Sequence, residues 1–196
     1  MHAQHSVPPH STAVHRQPAL VAIVYANEVY PQATFERIVE DCRRRGLKIA
    51  GVLQHPVCSD AAGHCDVALE ELTTGLRTDL FEDRGPGASG CRLDEAALAE
   101  VNGQVARSLD LAPEILILNK FGKVEAEGRG LLDLVAMAVD RDIPVVIGVP
   151  IRNLDSWREF AGGMSVEFSS DPPEIADWLN RTFPVAMAQS PEPAAC

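Results

Sequence analysis

Positive charge is scarce in this sequence. Seventeen lysines and arginines stand against 28 aspartates and glutamates, a formal net charge of −11. That deficit excludes general nucleic-acid binding, which needs many cations to displace counterions. It also disfavours an anionic membrane surface. No apolar run approaches the roughly 20 residues that cross a bilayer, so membrane insertion is excluded as well. The start of the chain has no basic stretch leading into an apolar core, and a cytoplasmic location is the expectation. Cysteines are few and odd in number, at positions 42, 58, 65, 91 and 196, which fits a reducing compartment better than a disulfide framework. A phosphate loop is missing too. The first strand-to-helix connection reads Tyr25-Ala-Asn-Glu-Val-Tyr-Pro-Gln-Ala-Thr34, with no glycine and no lysine. A Walker A loop needs glycines for its backbone cradle and a lysine for the β- and γ-phosphates. Glu28 would in addition repel a phosphate.

What is present is a chain of alternating strands and helices. Apolar residues make up 46% of the 196, enough for a sizeable core. Residues 1–18 and 184–196, rich in His, Ser, Pro and Ala, have no apolar period and are read as disordered tails around one domain at 19–183. Residues 19–25 form an uninterrupted apolar run, as a strand covered on both faces requires. Residues 32–45 carry Phe35, Ile38, Val39 and Cys42 at helical spacing, and Gly46 ends the helix. Further strands are expected at 47–54, 115–118, 144–149 and 165–168. Segments 67–72 and 76–81 flank Thr73-Thr74-Gly75 and read as a hairpin. Helices are expected from the Asp94 cap to about 109, then over 130–141, after an Asn153 cap, and over 173–183. The pattern is α/β, a Rossmann-like three-layer sandwich whose mostly parallel sheet carries a β-hairpin insertion. Ligands of such sheets sit beyond the carboxyl ends of the strands. The loops that matter are therefore 26–31, 55–66, 119–130 and 150–153.

Three segments hold residues suited to chemistry. The densest is Asn119-Lys-Phe-Gly-Lys-Val-Glu-Ala-Glu-Gly-Arg-Gly130, directly after a buried strand. Asn119, Lys120, Lys123 and Arg129 are suited to an anion, and Gly122 allows close backbone approach. Glu125 and Glu127 are the candidate catalytic groups, able to hold a metal ion, position water or act as a base. A solvated surface loop with internal ion pairs is the alternative. Asn119-Lys120 also opens like the Asn-Lys-x-Asp guanine-reading motif, but Gly122 stands where the carboxylate belongs. The second segment is Gly90-Cys-Arg-Leu-Asp94. Cys91 and Arg92, between a glycine-rich loop at 85–90 and a helix start, would give an activated thiol and an anion contact. Asp94 joins them or simply caps the helix. The third is the 55–66 loop, where His55, Cys65 and Asp66 offer ligands for zinc, although the spacing is not that of a structural zinc knuckle.

Leu53-Gln54, Cys65-Asp66, Gly90-Cys-Arg-Leu-Asp94 and the 119–130 segment together resemble the bacterial domain-of-unknown-function family 2478, over about residues 19–183. That family is similar to the thermophilic nucleoside-triphosphatases of the P-loop fold, so the resemblance implies a degenerate P-loop NTPase-like architecture. In that relationship the strand ending at Leu118 takes the Walker B place. Asn119-Lys120-Phe121-Gly122 then replaces an Asp-Glu-x-Gly sequence. The resemblance also implies a link to molybdate uptake and molybdenum metabolism, with molybdate, or a nucleotide with magnesium, as the ligand. Three functions follow from these readings. The first is an accessory protein that binds an oxyanion or a phosphoryl ligand. The second is a nucleoside triphosphatase with non-standard catalytic residues. The third is a non-catalytic module turned to a protein partner or to a second copy of the chain.

Overall fold

The computed structural model describes residues 20–26, 29–58, 65–82, 92–170 and 173–184. Both expected tails lie outside the described residues, as do the glycine-rich loop at 85–90 and Cys91.

Five strands run parallel: β1 (Leu20–Tyr25), β2 (Ile49–Cys58), β7 (Ile115–Leu118), β8 (Val145–Pro150) and β9 (Ser165–Ser169). Two more, β3 (Cys65–Glu71) and β4 (Arg77–Asp79), extend the sheet antiparallel at the β2 side. The full order is β4-β3-β2-β7-β8-β1-β9. A separate ribbon pairs β5 (Phe81–Glu82) with β6 (Arg92–Leu93). β7 and β8 are buried along their whole length, which explains their unbroken apolar sequences: both faces of an interior parallel strand are covered. β9 lies at the edge, and its sequence alternates accordingly.

Helices cover the two faces. α1 (Gln32–Arg44) and α6 (Pro173–Thr182) pack Phe35, Ile38, Val39, Cys42, Trp178 and Leu179 against Val21, Ile23, Ile117 and Val146. On the other face lie α2 (Glu95–Leu109), α4 (Leu132–Asp140) and α5 (Leu154–Ala161). They bring Val101, Val105, Leu134, Val135 and Trp157 onto Ala22, Ala50, Leu116, Leu118 and Ile147. The expected three-layer α/β sandwich is therefore the observed one. The α2 cap is also as expected: Asp94 Oδ1 accepts from the Ala96 and Ala97 backbone N–H groups, both at 2.9 Å.

Two local expectations need correction. Residues 55–66 do not form one long loop. β2 runs on to Cys58, and β3 begins at Cys65, with Cys58 opposite Cys65 and His55 opposite Ala68. β2 meets β7 only over Ile49–Gly51. Beyond that point it has one neighbour, β3, and Pro56 is tolerated because part of the strand's backbone has no sheet partner to satisfy. The 119–130 segment, read as a loop, contains one helical turn, α3 (Lys123–Ala126).

Topology places the ligand crevice. The chain leaves β1 toward β2 on one side and leaves β8 toward β9 on the other. β1 and β8 are neighbours, so the crevice opens between their carboxyl ends.

Two positions carry the sheet's tolerances. Gly51 has φ +124°, and a Cβ there would stand 1.8 Å from the Ile117 carbonyl oxygen. Gly51→Ala is expected to lower unfolding stability by on the order of 3 kcal/mol, measured by urea titration, because β2 and β7 would have to part. Glu71, buried at the end of β3, accepts from the Thr74 hydroxyl and backbone N–H at 2.7 and 2.8 Å and from the Ser108 hydroxyl at 2.9 Å. Burial pushes the Glu71 carboxyl up, but these hydrogen bonds outweigh it and hold the pKa below the usual 4.5. A depressed folded pKa gives stability that is fully present above about 4.5 and is lost as pH falls through the folded value. Urea midpoints followed from neutral pH into that acid range should fall less steeply for Glu71→Gln than for the unaltered chain.

Candidate functional site

Strand β7 ends at Leu118, and the next three residues are placed by the elements on either side. Asn119 is buried, and its Nδ2 donates to Gln54 Oε1 on β2 at 2.9 Å. Its Oδ1 is buried with no hydrogen-bond partner. Phe121 donates its N–H to the Gly148 carbonyl on β8 at 2.7 Å. Its ring packs edge-on against Trp157 of α5, with centroids 5.4 Å apart. Asn153 stands at the N-cap position of α5 as expected, without a side-chain cap; its Nδ2 donates to the Phe121 carbonyl at 2.8 Å. A buried ring and two hydrogen bonds thus hold the backbone on the far side of Lys120. Close approach is built in here: a Cβ at Gly148 would stand 2.6 Å from the Asn119 carbonyl oxygen.

The chain then turns around Glu125. Glu125 Oε2 accepts the Gly122 N–H at 2.9 Å, and Oε1 accepts the Leu131 N–H at 3.2 Å. The carboxylate caps α3 at one end and ties down the entry to α4 at the other. Gly130 at φ +70° leaves room for it, since a Cβ there would lie 2.2 Å from Glu125 Oε1. Lys120 folds over the same turn, its Cε 3.6 Å from where a Gly122 Cβ would be. Lys120 counts as exposed overall. Even so, the protein crowded around its ammonium pulls the pKa below the usual lysine value; Glu125 opposes this and the Arg152 charge adds to it.

A pocket of about 250 Å³ opens above this turn. Gln54, Asn119, Lys120, Gly122, Lys123 and Glu125 supply its polar lining. Val67 and Leu69 of β3, Leu80, Leu93, Leu98 of α2, Val124 and Leu131 supply the apolar walls. Five of the residues singled out in the sequence therefore meet in one place: Asn119, Lys120, Gly122, Lys123 and Glu125. Others do not come in. Arg129 pairs with Glu127 at 2.6 Å, and the exposed Lys123 ammonium lies 3.9 Å from the same carboxylate. That cluster faces solvent, so the three cations expected around one anion do not converge. Asp94 is occupied as the α2 cap. Cys91 lies outside the described residues, and so do the side chains of Arg92, Cys65 and Asp66. His55 Nε2 lies 2.8 Å from Glu70 Oε2, and Arg77 contacts the same oxygen at 3.0 Å. Among the described residues no group of three potential ligands could hold a metal ion.

Arg152 and Tyr25 were not singled out in the sequence. Arg152 lies in the loop after β8, and its charge is felt by both Lys120 and Tyr25. Its only sequence signal is its place in the loop at 150–153. At the end of β1, Tyr25 meets Tyr30 edge-on at 5.8 Å, and Tyr30 stacks on Phe35 at 5.5 Å. The connection from β1 to α1 thus places the Tyr30 ring between Tyr25 at the strand end and Phe35 in the helix. A magnesium nucleotide does not fit these residues. The strand end that would carry its carboxylates carries Asn119 and Lys120, and the first loop supplies neither lysine nor glycine.

The roles of the two glutamates separate in stability. Glu125→Ala leaves two buried backbone N–H groups without acceptors and is expected to cost about 2 to 4 kcal/mol in urea unfolding. Glu127→Ala removes only solvent-facing ion pairs and should stay within about 0.5 kcal/mol of the parent.

Comparison with known proteins supports the architecture. The chain is 32% identical over 165 residues to the Molybdenum import ATP-binding protein ModC 2 of Bradyrhizobium diazoefficiens. That match takes in 83% of this chain but 18% of that protein, so the chain spans less than a fifth of the relative's length. The fold is similar to the crystal structure of THEP1 from the hyperthermophile Aquifex aeolicus, with a TM-score of 0.55 and 17% identity over 83% of this chain and 95% of that one. The likeness establishes a P-loop NTPase-like α/β fold. The family model described as "Protein of unknown function (DUF2478)" matches residues 20–178, and the chain belongs to that family.

Proposed function

We propose that this chain is an accessory protein that binds an oxyanion or a phosphoryl ligand on a P-loop NTPase-like fold, and that it serves molybdate handling. The observation that carries the reading is Lys120. Its ammonium stands at the carboxyl end of the central strand β7, partly stripped of water, with the Arg152 charge close by. A cation held in such surroundings gains from an anion that restores its lost hydration. The similarity to a protein named for molybdenum import supports molybdate as the first anion to test.

Binding is favoured over hydrolysis by three features. Glu125 directs both oxygens to backbone N–H groups. Glu127 pairs with Arg129 away from the pocket. The loop after β1 has neither glycine nor lysine for a phosphate cradle, and its Tyr30 ring packs between Tyr25 and Phe35.

Thermal unfolding in molybdate, tungstate and phosphate tests the reading. At a hundred times its dissociation constant, a bound anion should add about 2.7 kcal/mol of stability. Lys120→Gln should abolish the gain. Affinity should also weaken as pH rises, and at a lower pH than an ordinary lysine would require, because the lysine pKa is lowered and the cation is lost early. No stabilisation by any of the three anions, or full stabilisation in Lys120→Gln, would overturn the proposal.

A further inference from the structure

The pocket beside Lys120 has more wall than a free inorganic ion would use. Seven of its lining residues are leucine or valine, drawn from β3, the connection after β4, β6, α2, α3 and the entry to α4. A hydrated tetrahedral oxyanion gains nothing from such walls and loses water against them. The charge supply is also small. Lys120 stands close to Glu125, whose negative charge offsets part of its own. The other cations near it, Lys123 in the lining and the Arg152 charge, come from the 119–130 segment and the loop after β8, so the leucine and valine walls offer a charged body nothing. The floor has a polar vacancy of a different kind: Asn119 is 5% exposed, and its Oδ1 has no hydrogen-bond partner. A buried acceptor of this sort calls for a donor. The volume, about 250 Å³, falls just below the range of about 300–1,000 Å³ typical of drug-sized ligands. It suits one ring with a head group and is too small for a nucleoside triphosphate.

We infer that the ligand is a small organic anion, with a single oxyanionic head at Lys120 and a compact, largely apolar body that carries a hydrogen-bond donor toward Asn119 and lies between the β2–β3 hairpin and α2. This inference rests on the anion reading given above and narrows it. The apolar walls bind the body, and Lys120 selects the charge. Asn119 and Gln54, joined at 2.9 Å, set which edge of the body faces the sheet.

Three probes separate the parts: 4-aminobenzenesulfonate, inorganic sulfate and aniline, each titrated calorimetrically into the full chain. The sulfonate should bind at least about tenfold more tightly than either fragment, a difference of about 1.4 kcal/mol. Lys120→Gln should bring the sulfonate down to the affinity of aniline. Val67→Phe, which fills the pocket from β3, should bring it down to that of sulfate. Val124→Phe fills the pocket from α3 and serves the same purpose if the strand variant does not fold, circular dichroism reporting on both. Equal binding of sulfate and sulfonate would overturn the organic body and leave the anion reading intact. Equal binding of aniline and sulfonate, unmoved by Lys120→Gln, would overturn the anion reading and this inference with it. Binding of none of the three overturns the inference.

Discussion

The site depends on one carboxylate. Glu125 accepts two backbone N–H groups that are nine residues apart in the chain, at Gly122 and Leu131. Between them the chain must leave a buried strand, complete a single helical turn and enter a second helix. A four-residue helix has no stability of its own, because its nucleus costs more than its few hydrogen bonds return. Here the carboxylate supplies what cooperativity cannot. It caps the turn, fixes the entry of α4 and leaves Lys120 lying across Gly122 at the pocket floor. Gly130 is a consequence of the same contact, since any side chain there would displace the carboxylate.

A second constraint acts from the other side. Phe121, wedged against Trp157 and bonded to Gly148 and Asn153, ties the β7 end to β8 and α5. Lys120 lies between these two anchors, so its position is set by rigid elements although its side chain reaches solvent. The arrangement resembles a nucleotide-binding sheet with the pieces exchanged. Tyr30 packs between Tyr25 and Phe35 after β1, and an amide and a lysine stand at the end of β7. The THEP1 likeness, at 17% identity, informs the architecture and not the chemistry.

Much of this was legible beforehand, and the misses have physical causes. β1, β7 and β8 showed as unbroken apolar runs because both faces of each are covered. α1 and α2 showed through their periodicity, and α2 through its Asp94 cap. The P-loop NTPase-like fold and the family followed from the Asn119–Gly130 segment and its companion motifs. The outer part of the β2–β3 hairpin, residues 55–58 and 65–66, was read as loop. Its polar and proline residues are tolerated beyond Gly51, where the strand has a single neighbour, and periodicity cannot report a missing neighbour. α3 was invisible for another reason: a single turn is too short to show a helical period, and a side chain holds it.

What the sequence determined by itself was the alternation of elements, the apolar strands that had to be central and the place where charge and glycine concentrate. Those are properties of neighbours along the chain, and neighbour chemistry is enough to express them. Tertiary structure decided which of the charged residues meet. Lys120, Lys123 and Arg129 are close in sequence and all cationic side chains, yet the turn around Glu125 directs Arg129 outward to Glu127 and keeps Lys120 at the pocket. Arg152, more than thirty positions away in the numbering, comes within electrostatic reach of Lys120 because β7 and β8 are adjacent. The leucines that make the pocket apolar come from elements far apart in the chain, from β3 to the entry of α4, brought together by the hairpin and α2. Side-chain direction and strand order set these meetings, and neither is a property of residues adjacent in the chain.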